Sequence, residues 1–519
     1  MSNTILQTAK LNSILLLIMM VFSFSATQSH AKSQTSDESC DLTKSSLCPL
    51  KTDIEVALKP VITGIDVVTD INVVDNYFYI CTQPGLLLRK KMDSGSQTDA
   101  EVFLDLREQV GTLGKNVPGL SGLGYPDAGT YDERGLLGFA ADPAFSRNGR
   151  YWVWYSNINE FTNPAPDFFQ WLTSTSSPWN QSEYDHIDHL VEYQKGSPPR
   201  TLLKLKRPYF NHTGYASVVW SPEHKTLLLA IGDGGSEYDP NALAQDDDQL
   251  SGKLIKINLT KLNGLDFTNS PAVATYTDLK QLNVPSGAFT TLVKGLRNPS
   301  KVTFEQITYQ DGHNQWIKYL GNTGQDTLEW VHAFKEYGLN FGWRAWEGIF
   351  PDSFANSDET ISTLAYPYEA LLLANFYRPF LVYGHRSVDP DLGANANVGA
   401  TLYKGDSIKG LKSGSLISTD YLDFNMTPMQ GILLHTAVDR NNLQKAQQIN
   451  RFKLNLDAVG LTSSSTNNIL FFSAINASDK KQRIFIGGYK SFQYITNQNK
   501  SDTSFPLGLG AVYEVVDGN

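Results

Sequence analysis

Asp132-Glu133-Arg134-Gly135-Leu136-Leu137-Gly138-Phe139-Ala140-Ala141-Asp142-Pro143 runs into Phe145-Ser-Arg-Asn-Gly-Arg-Tyr151-Trp-Val-Trp-Tyr155. Two apolar, aromatic-rich runs, Leu137–Ala141 and Tyr151–Tyr155, flank an Asn-Gly turn, the pattern of a buried β-hairpin. Five more such units lie outside this stretch. Ile65–Thr69 pairs in pattern with Tyr77–Cys81, Ser217–Trp220 with Thr226–Ile231, and Lys301–Phe304 with Gln315–Leu320. Ala400–Tyr403 with Ser415–Ser418, and Leu470–Phe472 with Arg483–Ile486, complete the set. Hairpins recurring along a chain suit a β-propeller, because each blade buries its faces only against neighbouring blades. The spacing predicts an all-β fold, a six-bladed β-propeller with long inter-strand and inter-blade loops, since the intervals exceed the roughly 40 to 45 residues of a compact blade repeat. A decorated β-sandwich remains the alternative that periodicity alone leaves open.

Composition narrows the class. The chain has 519 residues, 41% hydrophobic and 11% aromatic, with 40 Gly, 23 Pro and only 18% charged residues, which suits one large β domain better than a helical bundle. Forty-three basic against 53 acidic residues leave no basic stripe, so nucleic acid is excluded as an expected partner and a small-molecule ligand is favoured.

The first 31 residues read as a secretory signal: Lys10, an apolar run from Ile14 to Phe24, and small residues at Ser29-His30-Ala31. That run is short for a bilayer span, so no stable membrane anchor is expected, and a periplasmic or secreted protein is. A flexible tail is predicted over 32–59 and the propeller over 60–519. Cys40 and Cys48 lie in the tail, where an oxidising compartment favours a local disulfide, while Cys81 sits in an apolar run and reads as a buried thiol. Two insertions, 161–199 and 344–380, carry Phe168, Phe169, Trp171, Trp179 and Tyr184, and Trp346, Phe350, Phe354, Tyr366 and Tyr368. Such rings line a sugar or quinone cleft or pack among themselves.

The opening stretch, together with three further segments in the same order, resembles the soluble glucose/sorbosone dehydrogenase family of quinone-dependent six-bladed propellers. The second segment runs through Asn211-His212-Thr213-Gly214, Ser217–Trp220 and Leu227–Ile231 to Gly232-Asp233-Gly234-Gly235. The third is Gly295-Leu296-Arg297-Asn298-Pro299-Ser300, and the fourth is Gly321-Asn-Thr-Gly324-Gln325-Asp326-Thr-Leu-Glu329-Trp330 with Gly338–Trp343 and Trp346-Glu347-Gly348. The resemblance implies that His212 is a general base oriented by Asp233, and that Arg297 stabilises charge developing on the quinone. It also implies cofactor contacts at Glu133, Arg297, Asn298 and Ser300, and a calcium ion held by the carbonyls of Gly324 and Gln325. A neutral imidazole accepts a hydroxyl proton while hydride leaves the same carbon, and hard oxygens suit Ca²⁺. Read without the resemblance, His212 and Asp233 are turn residues and Arg297 is a carboxylate partner.

The chain also departs from that family. Its Gln-Gly after the Arg-Asn-Pro motif is Ser300-Lys301 here. The family's late Lys and Arg-x-Arg, which clamp the quinone carboxylates, fall on Ser418-Thr-Asp420-Tyr421-Leu422 and on 467–472, where no such cations stand. Two expectations follow. One is a pyrroloquinoline-quinone (PQQ)-dependent dehydrogenase acting on an aldose-like substrate and passing electrons to an external acceptor. The other is a non-catalytic secreted propeller that binds a protein or carbohydrate partner, as in the hedgehog-interacting branch of the same fold. Asn211 begins a glycosylation sequon, and a glycan there would obstruct His212, which favours a bacterial periplasmic setting for the enzyme.

Overall fold

The computed structural model describes residues 51–113, 132–163, 179–351, 376–385, 389, 392–426, 428–444, 448–461, 469–477, 482–491 and 508–518. The expected signal segment, Cys40, Cys48, Phe168, Phe169, Trp171, Phe354, Tyr366 and Tyr368 lie outside the described residues. Within them the fold is all-β. The α-helices there are short turns such as Arg107–Val110 and Tyr276–Gln281, and none is long and apolar enough to cross a membrane.

Five of the six hairpins predicted from the sequence form antiparallel pairs where expected; in the first, the strand pairing with Tyr77–Thr82 is Val68–Val74 rather than Ile65–Thr69, because Ile65 ends the preceding strand and pairs with Gly510. The first sheet joins Val68–Val74, Tyr77–Thr82, Leu86–Lys91 and Glu101–Asp105 in chain order, and the second joins Leu136–Ala141, Tyr151–Asn157, His186–Tyr193 and Arg200–Arg207. A third runs Val218–Ser221, Thr226–Ile231, Lys253–Ile257, Phe289–Lys294, with Leu339–Asn340 added in parallel. A fourth runs Asn298–Thr308, Asn314–Thr323, Leu328–Phe334, Leu381–Gly384. Trp346–Glu347 and Phe350–Pro351 form a two-stranded sheet of their own, and the other strands form one eight-stranded sheet.

The leading strands explain the arrangement. Val68–Val74 packs on Leu136–Ala141, which packs on Val218–Ser221, and the series continues through Asn298–Thr308, Asn397–Tyr403 and Ile469–Asn476 back to Val68–Val74. This is a propeller-like ring of sheets. Strands packed on both faces read as continuous apolar runs, and all of Thr226–Ile231 is buried, whereas the outer strand Glu101–Asp105 is largely exposed.

Closure comes from the N-terminal side and corrects one expectation. Lys51–Ile65 pairs antiparallel with Gly510–Asp517 and parallel with Ile449–Asn455, so residues 51–59 belong to the sheet and not to a flexible tail. Ile54, Val56 and Leu58 bury their side chains in the core beside Phe452 and Tyr513, and this apolar area offsets the ordering of the strand. Cys81 is a buried free thiol, as its apolar run predicts.

Candidate functional site

The site is built where the second, third and fourth sheets hand the chain from one to the next. Strand Arg200–Arg207 leads into a loop carrying His212, and strand Thr226–Ile231 ends just before Asp233. Both side chains are buried, and His212 Nδ1 donates to Asp233 Oδ1 at 2.7 Å. The second carboxylate oxygen of Asp233 accepts Trp343 Nε1–H at 2.7 Å, and the Gly235 amide donates to Oδ1 at 2.9 Å. With Nδ1 bonded to the carboxylate, the neutral form of the ring carries its lone pair on Nε2.

The local backbone is held in a costly shape. His212 sits at φ +53°, and Ser236, Tyr238 and Asp239 also have positive φ, a conformation that costs a non-glycine residue of order 1–3 kcal/mol. Gly232 is required by close approach, since a Cβ there would lie 1.9 Å from the His212 carbonyl oxygen.

Glu133 and Asn298 fix His212 from the other side. Glu133 Oε2 accepts the His212 amide at 2.8 Å and Asn298 Nδ2 at 2.9 Å, while Asn298 Oδ1 accepts the Gly214 amide at 3.2 Å. Arg297 is joined to the pair through its backbone, its carbonyl accepting the Asp233 amide at 2.7 Å. Its guanidinium lies over the Trp343 ring, 5.5 Å from the centroid, and donates to Gln325 Oε1 and the Thr323 carbonyl. Trp343 thus touches both Asp233 and Arg297.

The turn after strand Asn314–Thr323 turns its amides inward. Glu347 Oε1 accepts the amides of Gln325, Asp326, Thr327 and Leu328 at 2.7 to 3.1 Å, and Glu329 Oε1 accepts that of Gly324 at 3.1 Å. Among the described residues no three His, Cys, Asp or Glu side chains gather as a metal site. Glu237 lies near Asp326, Arg297, Asp233 and Glu133; desolvation and then Asp326 push its carboxyl up to about 8, against the pull of Arg297. It keeps part of its surface open to solvent.

The structure therefore brings Glu133, His212, Asp233, Arg297 and Asn298 into one bonded set, with Gln325 joined through its side chain. Ser300 is not bonded to this set: its buried hydroxyl donates to the Gly321 carbonyl of the neighbouring strand at 3.3 Å. Asn211 is buried, with its side-chain oxygen on the Ser236 amide at 2.8 Å, leaving no room for a glycan. Sequence reasoning assigned no role to Trp343, Glu347, Glu237 or Arg207. Trp343 and Glu347 stand inside the quoted motifs, whereas no local signal marks Arg207.

The late positions form a different environment. Asp420 accepts Tyr383 Oη–H at 2.9 Å and the Asn395 and Leu422 amides, and burial together with Glu329 pushes its carboxyl up to about 7. Asn397 donates to Tyr383 Oη and Ser418 Oγ, while Glu329 takes His385 Nε2 and the Asn397 amide.

Residues 107–349 match the family model described as Glucose / Sorbosone dehydrogenase. The matched stretch contains Glu133, His212, Asp233, Arg297 and Gln325, so the family match falls on the motifs that carry the resemblance. The aldose sugar dehydrogenase of Streptomyces coelicolor, solved in its PQQ-bound form, aligns over 90% of this chain and 99% of its own, with TM-score 0.50 and 14% identity. The soluble aldose sugar dehydrogenase of Escherichia coli, solved in its apo-form, gives TM-score 0.50 and 14% identity over 89% of this chain and 99% of its own. At that identity the likeness concerns the fold. The HIPL1 protein of Arabidopsis thaliana is 22% identical over 378 residues, and the HIPL2 protein of the same plant 23% identical over 299. The chain spans 47% and 40% of the lengths of these two relatives.

Proposed function

We propose that this protein is a quinone-dependent dehydrogenase of aldose-like sugars, with residues 51–518 forming one six-bladed propeller in which the eight-stranded sheet counts as two blades. The reading of the ring is supported by six leading strands in cyclic contact. The reading of the chemistry rests on one observation: His212 Nδ1 lies 2.7 Å from Asp233 Oδ1, an arrangement in which the neutral imidazole gives Nδ1–H to the carboxylate and offers Nε2 as acceptor.

His212 takes the proton of the substrate hydroxyl on Nε2, and the Asp233 carboxylate stabilises the imidazolium that forms. The amide and indole donors on Asp233 keep that carboxylate oriented. Bound PQQ supplies the acceptor for the hydride that leaves the same carbon. Arg297 and Asn298 would hold it, with Glu133 fixing Asn298. Arg297 shares its surroundings with the carboxyls of Glu133, Glu237 and Asp326, the last two pushed by burial toward their neutral forms, so a bound cation would add to its hold on an anionic quinone. The turn 324–328 fits that role: with its amides turned onto Glu329 and Glu347, the carbonyls of Gly324 and Gln325 are the oxygens left to ligate calcium. A periplasmic or secreted location and an external electron acceptor complete the reading.

A second reading, a partner-binding propeller without turnover, is favoured by one specific feature. Where the family places its anchoring cations this chain has Asp420, closed into a hydrogen-bonded network. Titrating the purified protein with PQQ and Ca²⁺, then assaying dye-linked oxidation of aldoses, separates the two. Saturable quinone binding with turnover supports the dehydrogenase, and no binding at millimolar Ca²⁺ overturns it.

A further inference from the structure

We propose that Arg207, a residue outside the family motifs, is a positioning residue that locks the His212–Asp233 pair; this rests on the reading of His212 as the base. Arg207 ends the strand that precedes the His212 loop and is fully buried. Its Nη2 donates to the His212 carbonyl at 2.6 Å and to the Gly232 carbonyl at 3.2 Å; Nη1 donates to Gly232 at 3.3 Å and to Ser251 Oγ at 2.9 Å. One guanidinium therefore grips the backbone oxygens of the base itself and of the residue just before its orienting carboxylate.

The grip answers a specific electrostatic problem. The Gly232 α-carbon and the His212 carbonyl oxygen are in close approach, and the carbonyls of both residues point to the same place. Two parallel carbonyl dipoles repel, and in a buried setting no water relieves them. A forked cation between them turns repulsion into two charge-assisted bonds. The His212 backbone is then held at both ends, its amide on Glu133 and its carbonyl on Arg207, which stabilises the positive φ that aims the ring at Asp233. Asp188 backs the cation, with Oδ2 3.3 Å from Arg207 Nε, and is itself held by Ser156 Oγ at 2.7 Å. Burial draws the Arg207 guanidinium down from its ordinary value, and the carboxylates of Asp188, Asp233 and Glu133 pull against it.

The test reads the tautomer of His212 and needs no turnover. In ¹⁵N-histidine-labelled protein, with the His212 signal assigned by its absence in His212→Gln, the wild type is expected to show protonated Nδ1 and unprotonated Nε2. Arg207→Met removes the grip. Arg207→Lys keeps the charge beside Asp188 but loses the fork, and serves if the Met variant does not fold. In each folded variant the locked signature is expected to be lost, with both ring nitrogens averaging, while the signals of buried His332 and His385 in the fourth-sheet region stay in place. A folded variant of either kind that keeps the His212 signature overturns the proposal. If the signature is lost but the wild type shows no quinone-linked oxidation, the dehydrogenase reading fails and the positioning role stands.

Discussion

Two regions built from the same residue types are finished in opposite ways. Around His212, the Asp233 carboxylate is saturated by three donors while the imidazole it orients retains one acceptor nitrogen. Around Asp420, every partner turns back on the network: Glu329 on His385 and Asn397, Asp420 on Tyr383 and two amides, Asn397 on Tyr383 and Ser418. The first region is a tool with one valence left over. The second is a structural weld of neutral or paired groups. Burial explains the choice, since an unpaired charge in that interior costs several kcal/mol and a shared proton avoids it.

The sharpest way to break this contrast is to remove the spare valence. His212→Ala is expected to lower quinone-linked turnover by a factor on the order of 10² to 10⁴ with quinone affinity little changed, measured by steady-state kinetics beside a binding titration. Equal losses in both would make His212 a binding residue. The next effect concerns the missing clamp. Chelation of divalent ions should weaken quinone binding by about tenfold or more, a change of ~1.4 kcal/mol, because an ion on the Gly324 and Gln325 carbonyls would add its charge to that of Arg297. An affinity indifferent to chelation would show that the turn at Gly324 and Gln325 holds no ion. Smaller again, Trp343→Phe takes one donor from Asp233 and leaves the aromatic face under Arg297. Turnover should fall roughly tenfold, the worth of one charge-assisted bond, and a larger loss would assign Trp343 to substrate contact.

How much of this was readable beforehand differs between the same two regions. The hairpins announced themselves because buried strands leave apolar runs punctuated by turns, and the motifs around His212, Asp233 and Arg297 are local enough to be recognised. The closing strand was missed although Ile54, Val56 and Leu58 alternate with Asp53, Glu55 and Ala57; the polar sequence upstream masked a period-2 pattern that burial of those three residues makes plain. Trp343 and Arg207 were illegible as site residues because their roles exist only after folding. Trp343 reaches Asp233 across 110 positions and Arg207 acts on a carbonyl, which every residue type possesses. The Asp420 network was visible only as an absence of cations, for sequence spacing does not bring Asp420 to Tyr383.

That network yields the smallest expected effect and the one that tests the weld directly. Asp420 is fully buried, and burial together with Glu329 lifts its carboxyl to about 7, whereas an unfolded Asp titrates near 3.9. The native state therefore holds a proton that the unfolded chain releases. Such a group contributes stability that is complete below pH ~4 and is lost as the pH climbs through about 7. The direction of the loss is opposite to that of an ordinary ion-paired carboxylate. Asp420→Asn keeps an acceptor for the Asn395 and Leu422 amides and removes the titration. The variant is expected to be slightly less stable than the wild type at pH 5, where a neutral Asp420 makes the better bond to Tyr383, and more stable by on the order of 1–2 kcal/mol at pH 9. Thermal denaturation of both proteins at the two pH values measures the crossing. If instead the variant is destabilised equally at pH 5 and pH 9, the wild-type carboxylate is ionised throughout, and the late half of the site is a charged network beside the Glu329–His385 pair rather than a neutral weld.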